Sequence, residues 1–345
     1  MRRRLMRAVI CAWIGCGLVL SASAKQKSLQ IYFVDVEGGQ ATLFVTPARQ
    51  SLLIDTGWPG FNGRDADRIV AAAKQAGLKQ IDYVLITHYH RDHVGGVPQL
   101  ADRIKIGTFV DHGPNLEDSD VTREDFAAYQ KVAAKAKRIM VRPGNGLPLK
   151  GLTVEVLTAG GEHISGPLPA AGTANQFCGS DPAPPDDPSE NARSVGVLIT
   201  FGKLRIIDLG DLTKKKELEL MCPDNMVGTA DLLVVSHHGF DQSSSKALVW
   251  ALHPRVAIMD NGAHKGGSPA AWQTVHDSPG LEDLWQLHYA ADSDKKHNAA
   301  DDLIANLNEA TDGNYIKVTA EPDGTMTVVN SRNGYKKTYA AIITP

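Results

Sequence analysis

Three histidines and one aspartate fall within six residues of the stretch Ile86-Thr87-His88-Tyr89-His90-Arg91-Asp92-His93-Val94-Gly95-Gly96. Imidazole and carboxylate are the usual protein ligands of Zn²⁺, and of Fe or Mn where more oxygen is supplied. His88 and His90, two apart in extended chain, point the same way. Asp92 and His93 follow where the chain bends, so they can serve a second metal beside the first. The bland alternative is a polar loop that happens to be rich in histidine. With only 12 histidines in 345 residues, a chance cluster next to an aspartate is the poorer account.

Such a cluster works only if something holds it still. The apolar run Tyr83 to Ile86 reads as the end of a strand, Ile81 to Ile86, and Gly95-Gly96 lets the backbone fold tightly behind the histidines. Three further features also stand at strand ends. Asp55 closes the strand Ser51 to Asp55. Asp211 follows the hairpin Val195 to Phe201 and Leu204 to Leu209. His237-His238-Gly239 follows Asp231 to Ser236. Side chains projecting from one edge of packed sheets can meet in one cleft although they are distant in sequence. Taken singly, Asp55 reads as a turn residue, Asp211 as part of a helix cap, and the histidine doublet says little.

Strands are also expected at Leu29 to Val36, Ala41 to Pro47, Ile106 to Val110, Leu152 to Leu157, Val256 to Met259 and Leu284 to His288. Helices are expected at Arg64 to Ala76, capped by Gly77, and at Thr122 to Arg138, Ser243 to Leu252, Pro269 to His276 and Ala299 to Asn308. A last hairpin, Tyr315 to Ala320 and Thr325 to Val329, turns at Asp323-Gly324. Residues 160–191 break the rhythm with Gly, Pro, Ala and Asp, the composition of a lid, a substrate loop or a disordered insert.

The first 24 residues read as a secretory signal: Arg2, Arg3, Arg4 and Arg7, an apolar core from Ala8 to Leu20, then Ala22-Ser23-Ala24. The chain is therefore expected to be exported, periplasmic or secreted, and no later stretch is apolar enough for stable membrane insertion. Removing that segment takes the length to 321 and the formal charge from −3 to −7. An acidic chain does not hold nucleic acid by bulk electrostatics, although Lys214-Lys215-Lys216 is a local basic patch. Cys178 and Cys222 then remain. Neither has a His or another Cys nearby, so one disulfide is expected ahead of free thiols or metal ligands.

The pattern His-x-His-x-Asp-His resembles the metallo-β-lactamase superfamily. The opening Phe33 to Leu43 narrows the resemblance to the stand-alone form of the hydrolase domain of ComEC-type competence proteins, which usually carry Asp where this chain has Gln40. The resemblance implies an α/β (α+β) fold, an αββα four-layer sandwich over residues 25–345 with the insert at about 160–191. It implies two divalent metal ions, zinc first, with Mn or Fe as alternatives. His88, His90 and Asp211 would hold one. Asp92, His93 and His238 would hold the other, with His237 the neighbouring alternative to His238. Asp211 would bridge the two, and Asp55 would orient a ligand histidine.

One departure stands out. Many members of the superfamily carry another metal-binding histidine before the second hairpin, where this chain reads Ser189-Glu190-Asn191-Ala192-Arg193-Ser194. The ComEC-like branch also lacks it, which leaves the first metal one protein ligand short. Paired metals roughly 3.5–4 Å apart lower the pKa of a shared water, and a net positive site favours an anionic substrate, a small molecule or a nucleic acid. Asp92 and Asp55 are the expected catalytic groups. His264 is the first choice for substrate contact because its flanks, Asn261-Gly262-Ala263 and Lys265-Gly266-Gly267, are glycine-rich; His112, Asn115, Lys265 and His297 are lesser candidates. The function implied is an exported metal-dependent phosphoester hydrolase. A β-lactamase or lactonase, and a non-catalytic metal-binding module, are the alternatives.

Overall fold

The computed structural model describes residues 28–182, 184–309 and 312–342; the segment read as a signal peptide lies outside them. Alternation within the strands dictates the layers. In Leu29–Phe33, the side chains of Leu29, Ile31 and Phe33 enter one buried apolar cluster and Tyr32 enters another. Ser51–Ile54 does the same, with Leu52 and Ile54 opposed to Leu53. A strand that is apolar on both faces must be covered on both.

The first sheet runs, edge to edge, Lys336–Tyr339, Met326–Asn330, Ile316–Ala320, Leu29–Phe33, Thr42–Val45, Ser51–Ile54, Gln80–Leu85, Lys105–Asp111 and Lys137–Met140. The second runs Ile304–Asn306, Asp283–His288, Val256–Met259, Leu232–Val234, Leu204–Asp208, Gly196–Phe201, Thr153–Ala159 and Gly146–Leu147. Phe33, Phe44, Val197, Ile199, Ile258 and Trp285 belong to the core shared by both sheets. Helices Arg64–Gln75, Val97–Ala101 and Asp120–Ala133 cover the outer face of the first sheet. Lys214–Met221, Lys246–Leu252 and Pro269–His276 cover that of the second. The result is the expected α/β sandwich of four layers, αββα. Ser51–Ile54, Gln80–Leu85 and Lys105–Asp111 run parallel, as do Leu204–Asp208, Leu232–Val234 and Val256–Met259. Each of these strands hands its C-terminal loop to the region where the site forms.

Two expected helices are corrected. Ala299 to Asn308 is a 3₁₀ turn, Asp301–Leu303, followed by the edge strand Ile304–Asn306. Pairing of Ile304 with Gln286 and of Asn306 with His288 outweighs a helical spacing that is too short to nucleate alone. The helix expected to reach Arg138 stops at Ala133. Ser119 caps its start by accepting from the Thr122 amide, and Lys137–Met140 becomes a sheet edge.

The glycine- and proline-rich insert is pinned to the body. Thr173–Ala174 pairs with Asp224–Asn225, a disulfide joins Cys178 to Cys222, and the Asn175 amide donates to the carbonyls of Met221 and Ala247. Among the described residues no helix is long and apolar enough to cross a membrane.

Candidate metal centre

Asp55 leaves its strand in the left-handed region, at φ 59°. Its buried carboxylate accepts from the Thr87 amide at 2.8 Å and the Thr87 hydroxyl at 2.6 Å, and lies 2.7 Å from Nδ1 of His93. That contact assigns the Nδ1 proton to His93 and turns its Nε2 lone pair the other way. Nε2 lies 3.2 Å from Asp211 Oδ2 and 3.4 Å from Asp92 Oδ2. His238 is held alike: Nδ1 faces the Asp260 carbonyl at 3.3 Å, and Nε2 sits 3.2 Å from Asp92 and 3.5 Å from Asp211 Oδ1.

Asp92, His93, Asp211 and His238 thus bring one ligand atom each within 4.8 Å of one another, all buried. The Nε2 atoms of His93 and His238 are only 3.1 Å apart. Two imidazole lone pairs at that distance repel unless a cation or proton lies between them. Among the described residues, Asp211 Oδ1 and His88 Nε2 are also buried without a hydrogen-bond partner, and leaving such groups unpaired is costly. The donor set therefore fits a divalent metal.

The electrostatics agree. Burial opposes any charge on His93, yet Asp211, Asp92 and Asp55 hold its pKa well above the usual imidazole range. Burial and Lys265 act downward on His238, but Asp211 and Asp260 push it up to about 10. Burial raises Asp92 and Asp211, and nearby cations override it: His93 and Lys265 for Asp92, His93 and His238 for Asp211, so both stay well below the carboxylate range. Without metal, the cluster holds protons that a metal would displace.

His88 faces the same aspartate, and His90 lies beside His88. His88 Nε2 is 3.9 Å from Asp211 Oδ2, and its Nδ1 is 3.0 Å from the Thr87 hydroxyl. Burial, with His93 and His90 adding to it, keeps His88 well below the imidazole range and so neutral. His90 turns Nε2 onto Glu117 at 2.8 Å, which leaves Nδ1 as its free lone pair. Residues 34–179, spanning Asp55 and the whole histidine motif, match the family model described as "Metallo-beta-lactamase superfamily". Over those residues the chain carries a metallo-β-lactamase superfamily domain.

Two curated relatives resemble this chain over a longer span. "ComE operon protein 3" of Bacillus subtilis (strain 168) is 27% identical over 192 residues, 54% of this chain and 20% of that protein. "Recombination protein 2" of Haemophilus influenzae is 23% identical over 245 residues, 71% of this chain and 26% of that protein. The chain thus matches about a quarter or less of either relative's length. A solved structure, the metallo-beta-lactamase fold protein YhfI from Bacillus subtilis, is similar over 75% of this chain and 96% of that one, with 16% identity and a TM-score of 0.44.

The fold brings His88, Asp92, His93, Asp211, His237 and His238 together, with Asp55 behind them and His90 at the rim. The compact group of four includes His238 rather than His237. His264 is a correction. It is exposed, and it reaches Asp292 at 2.9 Å and Glu309 at 3.1 Å on the outside. Its neighbour faces inward instead: the Lys265 ammonium contacts the Asp92 carboxylate and donates to the Gly38 carbonyl at 2.7 Å. His297 pairs with Asp294 away from the cluster. His112 supports the site from behind, its Nε2 lying 2.9 Å from the buried Glu190, which also accepts from the amides of Tyr89 and Leu116.

Sequence reasoning missed Thr87, Glu117, Glu190 and Asp260. Asp260 was within reach, because it closes the strand Val256–Met259 just as Asp55 and Asp211 follow theirs. The two glutamates leave no such signal.

Proposed function

We propose that this chain is an exported metal-dependent hydrolase that cleaves a phosphoester at a pair of divalent ions, zinc first among the candidates. The observation that carries the reading is the buried group Asp92, His93, Asp211 and His238, with its two facing Nε2 atoms. Divalent ions held there would lower the pKa of water towards neutrality and polarise the ester. The protein's part is positioning. Asp55 and Asp260 keep His93 and His238 in the tautomer that offers Nε2 inward. Asp92, joined to the Lys265 ammonium, holds the rim nearest Gly38. Gly39 lets the chain pass closely, since a Cβ there would lie 2.3 Å from the Asp92 carbonyl.

His237 and Asn191 form one wall of a cleft of about 660 Å³, whose other walls include Pro184 and Pro185 of the insert and Lys214. That volume suits a small ligand. Asp186, Asp187 and Asp241 also line it, against Lys214 and Lys215, and Lys215 is already paired with Asp186. A polyanionic strand would meet three carboxylates there, so a small phosphodiester is favoured over nucleic acid.

The test uses purified protein with its metal content measured, offered a chromogenic phosphodiester, a chromogenic cephalosporin and single-stranded DNA. Turnover of the phosphodiester, abolished in Asp92→Ala, is expected. Turnover of the cephalosporin alone would reverse the reading. Full metal occupancy without turnover of any of the three would favour the binding module.

A further inference from the structure

The histidine missing from Ser189–Ser194 leaves one side of Asp211 short of an imidazole, and the structure has one nearby. His237 Nε2 lies 3.5 Å from Asp211 Oδ2, while His238 Nε2 lies 3.5 Å from Oδ1. Each oxygen of the carboxylate therefore faces one member of the doublet. The backbone is strained to do this. His237 and His238 sit at φ 55° and 54°, two consecutive non-glycine residues in the left-handed region that L side chains rarely adopt. One such residue suffices to turn a chain; a pair aims two neighbouring side chains at one target.

We infer that His237 supplies the imidazole that Ser189–Ser194 lacks, completing with His88, His90 and Asp211 a second set of four ligands beside Asp92, His93, Asp211 and His238. The inference rests on the reading of the site as a two-metal centre. His88 Nε2, buried and without a hydrogen-bond partner among the described residues, lies 3.9 Å from the same Asp211 Oδ2 that His237 faces. Ser243 Oγ stands 3.3 Å from His237 Nδ1, the outer contact that a ligand histidine needs. Asn191, inside the segment that lacks the histidine, lies 3.3 Å from His237 Nε2 through its amide nitrogen, and its Oδ1 is buried without a hydrogen-bond partner among the described residues. Asn191 therefore stands against the same ring nitrogen that faces Asp211. Three imidazoles and a carboxylate oxygen make the four ligands that Zn²⁺ accepts. The contrary reading is that His237, which lines the cleft, touches substrate only.

The full chain, stripped of metal and dialysed against limiting Zn²⁺ or Co²⁺, separates the two. The wild type is expected to retain two equivalents. His237→Gln should retain one and lose part of the Co²⁺ visible absorption. His238→Gln should also retain one, with the complementary spectral loss. Ser243→Ala leaves the imidazole in place, disturbs folding little, and should weaken the His237-side equivalent by about 10- to 100-fold. Two equivalents and an unchanged Co²⁺ spectrum in His237→Gln overturn the inference and assign His237 to substrate. One equivalent in the wild type also overturns it. If that single-metal protein still hydrolyses the phosphodiester, the proposed reaction stands while the second ligand set falls.

Discussion

The two sides of the Asp211 carboxylate have different surroundings. On one side His93 and His238 are fully buried, each locked by a group behind it, Asp55 or Asp260, and Asp92 is nearly so. On the other, His88 is buried, but the His90 side chain is 25% exposed and that of His237 12% exposed beside the cleft. The closed side has the features of a tight, preorganised metal position, and the open side those of the position where water and substrate arrive. Burial of the ligands and of the groups behind them, rather than the ligand types themselves, separates the two sides, since histidine and aspartate serve both and Glu117 and Ser243 stand behind His90 and His237 as Asp55 stands behind His93.

Asp211 is common to both sides, so its loss should have the largest effect. Asp211→Asn keeps the shape and removes the charge. Both metal positions are expected to empty and phosphodiester turnover to fall to the assay background, a drop well beyond the about 100-fold that an outer partner costs. Metal analysis beside the rate checks it. Retention of one tightly held equivalent in Asp211→Asn would show that the closed side stands without the shared carboxylate, and the comparison would break there.

Next in size is the lock itself. Asp55→Asn cannot favour the Nδ1-protonated form of His93 as the carboxylate does, and metal affinity on the closed side should fall by about 10- to 100-fold. Glu117→Gln, behind the more exposed His90, should cost less. Competition with a chromogenic chelator measures both. Equal losses would mean that burial does not distinguish the two sides.

This asymmetry also separates what the sequence disclosed from what it withheld. The four layers were legible only through the family resemblance that the histidine motif carries, whereas Asp55, Asp211 and the histidine doublet were legible because each follows a strand. His88 to His93 needed no fold at all. Lys265 and His264 could not be told apart, because adjacent residues of one loop face opposite ways and only the packing of Gly38 against Gly262 and Lys265 decides which turns inward. Glu117 and Glu190 were invisible for a related reason: they reach the site from a loop and an insert with no periodicity to read. The misread helix at Ala299 to Asn308 shows the same limit, as partners more than ten residues away determine its conformation.

A smaller effect is expected at Lys265. In the metal-free protein its ammonium offsets part of the charge on Asp92. Lys265→Met should lower the melting temperature of the metal-free form, through loss of a charged hydrogen bond worth about 1–2 kcal/mol. It should also raise metal affinity on the closed side several-fold, because the competitor for the Asp92 oxygen is gone. Weaker metal binding in Lys265→Met would instead make the lysine a positioning residue for Asp92.

The smallest effect lies beneath the site, where the halves of the molecule are clasped. Gln40, from the first half, donates to Asp208 Oδ2 at 2.6 Å, and the Gly210 amide donates to Oδ1 at 3.0 Å. Burial raises the Asp208 pKa from 3.8 to about 7 despite these bonds. A carboxyl raised on folding binds more protons folded than unfolded, so its contribution to stability falls as pH rises from about 4 to about 7 and is level above. Gln40→Ala removes a donor that favours the charged form, so the fall should deepen and extend past pH 7. The variant should lose about 1–2 kcal/mol at pH 8, where Asp208 is charged and short of a partner, and less at pH 5, where the carboxyl is protonated. Urea unfolding of the metal-free protein at the two pH values tests this. An equal loss at both would mean that Gln40 contributes packing alone, and that the clasp between the halves owes nothing to the charge beneath the metal centre.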